Sequence, residues 1–254
     1  MLAIHSVPAF RDNYIWILED GRHAVAVDPG DSAPVEDFLA AQGLELAAIL
    51  ATHHHADHVG GLPALVRRWK CPTFGPAREV DAPLDHRLTE GDVITVPALG
   101  IELAALDIPG HTAGHIALAG DGMVFCGDTL FTCGCGRLFE GTPAQMVDSL
   151  AKLAKLPTGT RVYCGHEYTM ANIRFAEAVE PGNRKLAERK ARDAARRERG
   201  EPTVPATIAE ELATNPFLRC GEPEVVASAE RHAGRKLKTP IEVFAEVREW
   251  KNNF

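Results

Sequence analysis

The chain has 254 residues, 45% of them hydrophobic and 24% charged, which excludes wholesale disorder and collagen-like or coiled-coil architectures. Its 27 Lys and Arg against 35 Asp and Glu give a net charge of −8, arguing against bulk attraction to nucleic acid or an anionic membrane surface. Six cysteines without a CxxC pair, no leader pattern in residues 1–11 and no run near the roughly 18 apolar residues of a membrane span lead us to expect a cytoplasmic protein.

Short apolar runs alternate with Gly and Pro turns through the first two-thirds. Residues 14–18 and 24–27 predict strands joined through Glu19-Asp20-Gly21-Arg22, whose Asp-Gly pair favours a hairpin. Residues 34–42 predict a helix that Asp31 or Ser32 caps and Gly43 ends. Residues 47–51 predict a short buried strand, and 62–70 a helix stopped near Pro72. Strands are expected again at 93–96, 101–106, 115–119, 123–126 and 161–164, giving a mixed sheet structure covered by helices. Beyond residue 168 the pattern turns helical at 173–179, 183–199, 207–213, 222–232 and 241–251, with no comparable strand expected. This divides the chain into an α/β catalytic part, residues 1–167, and a closely packed helical part, 168–254.

The strongest chemical signal is Thr52-His53-His54-His55-Ala56-Asp57-His58, directly after a strand. In an extended segment His53 and His55 share a side and His54 points away, while Asp57 and His58, past the turn, address a neighbouring point. Imidazole and carboxylate ligands without thiolates suit a divalent first-row metal. His111, Asp128 and His166 repeat one design further on: a ligand-type residue in a Gly-containing loop beside a strand. Asp28 has two readings: a carboxylate that orients a ligand histidine from behind, or a turn carboxylate before Pro29-Gly30. Residues 184–199 carry eight Lys and Arg against three Asp and Glu, which reads as a solvated helix face because no aromatic is interleaved.

The histidine motif with His111, Asp128 and His166 resembles the metallo-β-lactamase-fold superfamily, and over the whole chain the sequence is similar to the glyoxalase II (hydroxyacylglutathione hydrolase) family. The segments that carry the likeness are Phe10-Arg11-Asp12-Asn13-Tyr14, Val27-Asp28-Pro29-Gly30, Gly127-Asp128-Thr129-Leu130-Phe131, Gly134-Cys135-Gly136-Arg137 and Gly165-His166-Glu167-Tyr168. Glu201-Pro202-Thr203-Val204-Pro205 and Asn215-Pro216-Phe217 extend it into the helical part. The resemblance implies an α/β fold, an αβ/βα sandwich with a helical C-terminal domain that binds substrate. It implies two divalent metal ions per chain, zinc by expectation, with iron or manganese as alternatives. One would be held by His53, His55, His111 and Asp128, the other by Asp57, His58, His166 and the same Asp128. With Asp57 and Asp128 as catalytic carboxylates, a hydroxide bridging the metals would attack the thioester carbonyl of an S-(2-hydroxyacyl)glutathione.

Glutathione is acidic, so its site needs local cations. The family pattern maps its tripeptide contacts onto Arg137, Tyr168, Arg248 and Lys251, and onto Phe139 where the family often has tyrosine. Phe139 keeps the ring but lacks the hydroxyl, a loss of about 0.5–1.5 kcal/mol per hydrogen bond. The expected partner is thus a small glutathione thioester, with no nucleic acid or membrane, and a monomer is expected. Rival readings are another metallohydrolase of the superfamily, a mononuclear-iron persulfide dioxygenase, and a metal-stabilised binding module.

Overall fold

Alternating side chains along the first strands sort the molecule into layers. The computed structural model describes residues 2–79 and 84–254. Its β1 (Ala3–Ala9) pairs antiparallel with β2 (Asn13–Glu19), and β2 with β3 (His23–Val27). Tyr14, Trp16 and Leu18 enter one hydrophobic cluster, while Ile15 and Ile17 enter another on the opposite face. The expected hairpin forms: the Asp20 carboxylate accepts the backbone N–H groups of Arg22 and His23. Helix α1 (Ser32–Gln42) is capped by the Asp31 side chain and closed by Gly43 in the left-handed conformation, as expected.

β4 (Glu45–Leu50) then runs parallel to β3, followed by α2 (Ala56–Val59), α3 (Leu62–Trp69), β5 (Thr73–Pro76) and β6 (His86–Leu88). Together these strands make a six-stranded sheet in chain order. Val35 and Leu39 of α1 and Leu62 and Leu65 of α3 cover its outer face.

A second sheet begins with β7 (Val93–Val96), β8 (Ile101–Asp107), β9 (Ile116–Gly120) and β10 (Met123–Gly127). The chain continues through a small ribbon of β11 (Leu130–Phe131) and β12 (Gly134–Cys135), helix α4 (Pro143–Ala154) and β13 (Arg161–Cys164), which lies parallel to β10. Leu103, Val124 and Phe125 of this sheet meet Trp16, Val25 and Leu50 of the first in the central core. The observed architecture is therefore two sheets face to face with helices outside, the sandwich that the resemblance implied.

Residues 168–254 contribute α5 (Thr169–Val179), α6 (Arg184–Glu198), α7 (Ile208–Thr214), α8 (Pro223–Ala233) and α9 (Pro240–Asn252), close to the five expected helices. Phe175, Phe217, Phe244 and Val247 from this part join the central core. One expectation is corrected here. β14 (Ala206–Thr207) pairs antiparallel with β13, so this part supplies a strand to the second sheet. Two residues are too few to leave a periodic signal; the pairing arises because β13 otherwise ends the sheet with an open edge.

A buried charge cluster ties the helices to the loop between β11 and β12. Arg189 on α6 bonds Glu211 of α7 at 2.6 Å and the Thr214 hydroxyl at 2.6 Å. The other Glu211 oxygen accepts the N–H of Cys133 and the Asn215 amide, both at 2.9 Å. Arg189→Ala is expected to cost about 3–5 kcal/mol, because it leaves the buried Glu211 carboxylate without its cationic partner, while Asp193 keeps Arg192. Urea unfolding measures this; a loss below about 1 kcal/mol would contradict it.

Candidate active site

β4 leads into Thr52 and the histidine run. His53 Nε2 and His55 Nδ1 lie 3.1 Å apart, and His111 Nε2 is 3.0 Å from the same His55 nitrogen. His54 points away, to Glu140 at 2.9 Å, as the extended reading requires. The short helix α2 then turns the chain, placing Asp57 and His58 beside His166, which follows β13. Asp57 Oδ2 stands 3.7 Å from His58 Nε2 and 3.6 Å from His166 Nε2.

Asp128 lies between the two clusters. Its Oδ2 is 3.5 Å from His111 Nε2 and 3.3 Å from His166 Nε2, while Oδ1 is 3.3 Å from His58 Nε2. Gly165 makes this approach possible: a Cβ there would sit 2.7 Å from Asp128 Oδ1 and 2.6 Å from the His58 ring. Burial opposes ionisation of Asp128, but His58 and His166 beside it hold its carboxyl well below the usual range.

Hydrogen bonds behind the rings aim their lone pairs inward. His58 Nδ1 bonds Asp28 at 3.1 Å, His166 Nδ1 bonds Asp12 at 2.8 Å, and His111 Nδ1 bonds the Arg137 carbonyl at 2.9 Å. The Thr52 hydroxyl donates to Asp28 at 2.8 Å and so accepts from His53 Nδ1 at 3.0 Å. These bonds turn each Nε2 toward its cluster, the arrangement that orients metal ligands. Burial, with neighbouring imidazoles, pushes His53, His55 and His111 down, toward the neutral form a metal requires.

These residues fit divalent cations. A single proton on His55 Nδ1 serves only one of its two close ring nitrogens at a time, whereas a cation among the three would satisfy them all. His58 Nε2 and Asp128 Oδ1 are buried and, although 3.3 Å apart, are not aligned to hydrogen-bond each other or any other group. His53, His55 and His111 form one group able to hold a metal ion, and Asp57, His58 and His166 another.

A cavity of 490 Å³ opens from these clusters. Its lining includes His111 and Asp128 together with Arg137, Phe139, Tyr168, Arg248 and Lys251. Tyr168 stacks on His166 at 4.7 Å; burial, then Asp12, Asp128 and Asp57, raise its pKa, so its hydroxyl stays protonated. Arg248, only 4% exposed, donates to the Cys135 carbonyl at 2.8 Å and lies over the Phe217 ring, with its Nε unpartnered. Lys251 lies over the Phe175 ring, and burial, then Arg248, pushes its pKa down to about 8. Phe139 is 63% exposed and packs edge-on against His55 and His111.

Comparison with known proteins completes the picture. Residues 9–166 match the family model of the metallo-beta-lactamase superfamily, and residues 167–254 that of the hydroxyacylglutathione hydrolase C-terminus. A hydroxyacylglutathione hydrolase of Nitrosomonas europaea is 53% identical, across 100% of this chain and 97% of the relative. Another, of Alkalilimnicola ehrlichii, is 56% identical across 99% of both. The chain belongs to the hydroxyacylglutathione hydrolase family. The crystal structure of ETHE1 from Myxococcus xanthus is a more distant likeness, 25% identical with a TM-score of 0.67 over 99% of this chain and 98% of that one.

In this family member the seven residues expected as ligands converge, and the five expected to bind the carrier line the adjoining cavity. Asp28 stands behind His58, the first of its two readings. Sequence reasoning missed Asp12 behind His166 and Asn13, whose amide donates to Asp57 at 3.0 Å. Both lie in the Phe10-to-Tyr14 segment, quoted for its likeness but given no role. The Arg137 carbonyl behind His111 left no signal, since a backbone acceptor carries no residue type.

Proposed function

We propose that this chain hydrolyses S-(2-hydroxyacyl)glutathione, chiefly S-D-lactoylglutathione, to glutathione and a 2-hydroxy acid, completing methylglyoxal detoxification. The observation that carries the reading is the single cavity lined by His111 and Asp128 together with Arg137, Tyr168, Arg248 and Lys251. Residues 1–167 form the catalytic part in this reading, and 168–254 supply Tyr168, Arg248 and Lys251 to the carrier pocket. The reading takes a cytoplasmic monomer, with no nucleic acid or membrane as partner.

His53, His55, His111 and Asp128 would hold one divalent ion, and Asp57, His58, His166 and Asp128 the other, with zinc as the proposed metal. When bound, such ions supply Lewis acidity toward the thioester carbonyl and make water acidic enough to attack near neutral pH. Asp128, its side chain 9% exposed, holds its charge between the clusters, whereas Asp57, 43% exposed, is the carboxylate that solvent reaches. Asn13 donates to Asp57 and fixes its direction. Tyr168 presents a protonated hydroxyl beside the clusters, and Arg137, Arg248 and Lys251 balance the tripeptide carboxylates. In the reaction a C–O bond forms from water and the C–S bond breaks. The leaving thiol, with an ordinary pKa of about 8.5, departs without prior protonation. No Ser or Cys nucleophile is needed; the six cysteines are buried.

The test is turnover of S-D-lactoylglutathione by metal-loaded protein, followed by thiol release. Equal amounts of glutathione and D-lactate are expected. Turnover of lactones or β-lactams in its place would overturn the reading, as would oxygen consumption with glutathione persulfide.

A further inference from the structure

Two glutamates outside both active-site clusters and the cavity, which with His54 form a further group able to hold an ion, grip the loop carrying His111. Glu79 Oε1 accepts the Thr112 hydroxyl and, at 3.1 Å, the Gly114 N–H. Glu140 Oε2 accepts the Ala113 N–H at 2.8 Å, so three successive residues after His111 are each held by a carboxylate. The other Glu140 oxygen faces His54 Nε2 at 2.9 Å, and His54 stands between His53 and His55. On either side of Glu140 the backbone is zipped to the same loop. Phe139 N–H donates to the His111 carbonyl at 3.2 Å, and Gly141 N–H to that of Gly110 at 3.1 Å.

Glu79 is 5% exposed, and burial pushes its pKa up against the pull of Thr112 and His54. Its Oε2 is buried without a hydrogen-bond partner. A buried carboxylate is a costly way to fill space, so its placement calls for a reason beyond packing. The loop is shaped around it: a Cβ on Gly114 would stand 2.6 Å from Glu79 Cγ.

We propose that Glu79 and Glu140 are a positioning pair that locks His111 in register with His53 and His55. Glu79 fixes the far side of the His111 loop, and Glu140 couples that loop to the histidine run through His54. The inference rests on the reading that the three-histidine cluster holds one ion. It predicts a selective effect, because the pair touches neither Asp57, His58 nor His166.

The experiment uses the full chain with Glu79→Ala, Glu140→Ala and Glu140→Gln, titrating zinc away with a chelator. In both Ala variants one of two ions is expected to leave at about 10–100-fold weaker affinity, the usual effect of removing a partner behind a ligand. The second ion, identified by its weakening in Asp57→Asn, should stay within about twofold of wild type on this expectation. Glu140→Gln keeps an acceptor for the Ala113 N–H and should restore most of the loss. Independently of metal, amide exchange at Ala113 and Gly114 should accelerate in the Ala variants while other loops keep their rates. Unchanged exchange at both amides would overturn the proposal, and so would equal weakening of both ions. A third zinc bound by wild type and lost from both Ala variants would also overturn it, making the glutamates ligands. If wild-type protein binds no ion, the metal reading fails instead, and the exchange result alone decides the pair.

Discussion

Asp128→Ala should abolish function more completely than any other single substitution, lowering kcat/KM on the order of 10⁴-fold or more, about 5 kcal/mol of transition-state stabilisation. Its carboxylate lies within 3.5 Å of ring nitrogens from both clusters, so its removal takes a ligand from each. It also leaves His58 and His166 without the charge that holds up their proton affinity. Metal content should fall with activity. Asp57→Asn should cost less, because Asp57 belongs to one cluster. Full metal occupancy with unchanged rates in Asp128→Ala would contradict the assignment.

Lys251→Met should separate stability from binding. A folded-state pKa of about 8, against an ordinary 10.5, means that burial, reinforced by Arg248, disfavours the charged form. At pH 7 the lysine is protonated in both states, and a shift of this size costs the fold on the order of 3 kcal/mol. The methionine keeps an apolar stem over Phe175 and removes that cost, so Lys251→Met should be more stable at neutral pH. The gain should shrink as pH rises from 8 to 10.5, where the wild-type lysine sheds its proton on folding. The same change should raise KM for the glutathione thioester about tenfold or more through loss of a charge-assisted contact, with kcat much less affected. Wild-type KM should itself climb as pH passes through about 8. Denaturant unfolding and steady-state kinetics read the two effects; an unchanged KM would remove Lys251 from the carrier pocket.

What was legible in the sequence follows from how local each signal is. The hairpin at Asp20-Gly21 and the caps at Asp31 and Gly43 are fixed by residues within a few positions, and these readings match the structure. The histidine run was readable because alternation alone puts His53 and His55 together and turns His54 away. β1 was not: Ala3, His5, Ser6 and Pro8 are poor strand formers, and its pairing with β2 makes it a strand. β5 and β6, four and three residues long, are likewise defined by their neighbours. α4 was overlooked despite a real signal, the capping box of Thr142 and Gln145 ahead of apolar Met146, Leu150 and Leu153.

At the site, residue types announced the side chains that converge, while the groups behind them were only partly visible. Asp12 is 154 positions from His166 and meets it through the fold. Arg248 illustrates the opposite error of periodicity. On helical spacing it reads as a solvated cation, yet it is buried, because α9 packs beside β12, which carries Cys135. Without the family resemblance the basic lining of the cavity would have stayed unread.

The most direct measurement compares kcat/KM of the zinc-loaded protein for S-D-lactoylglutathione with that for the same lactoyl group on a small thiol lacking the tripeptide. A preference of about 10²-fold or more for the glutathione thioester is the predicted result, since charge-assisted contacts contribute roughly 1.5–3 kcal/mol each. Equal rates on the two thioesters would contradict the carrier pocket, and no turnover of either would contradict the hydrolase reading.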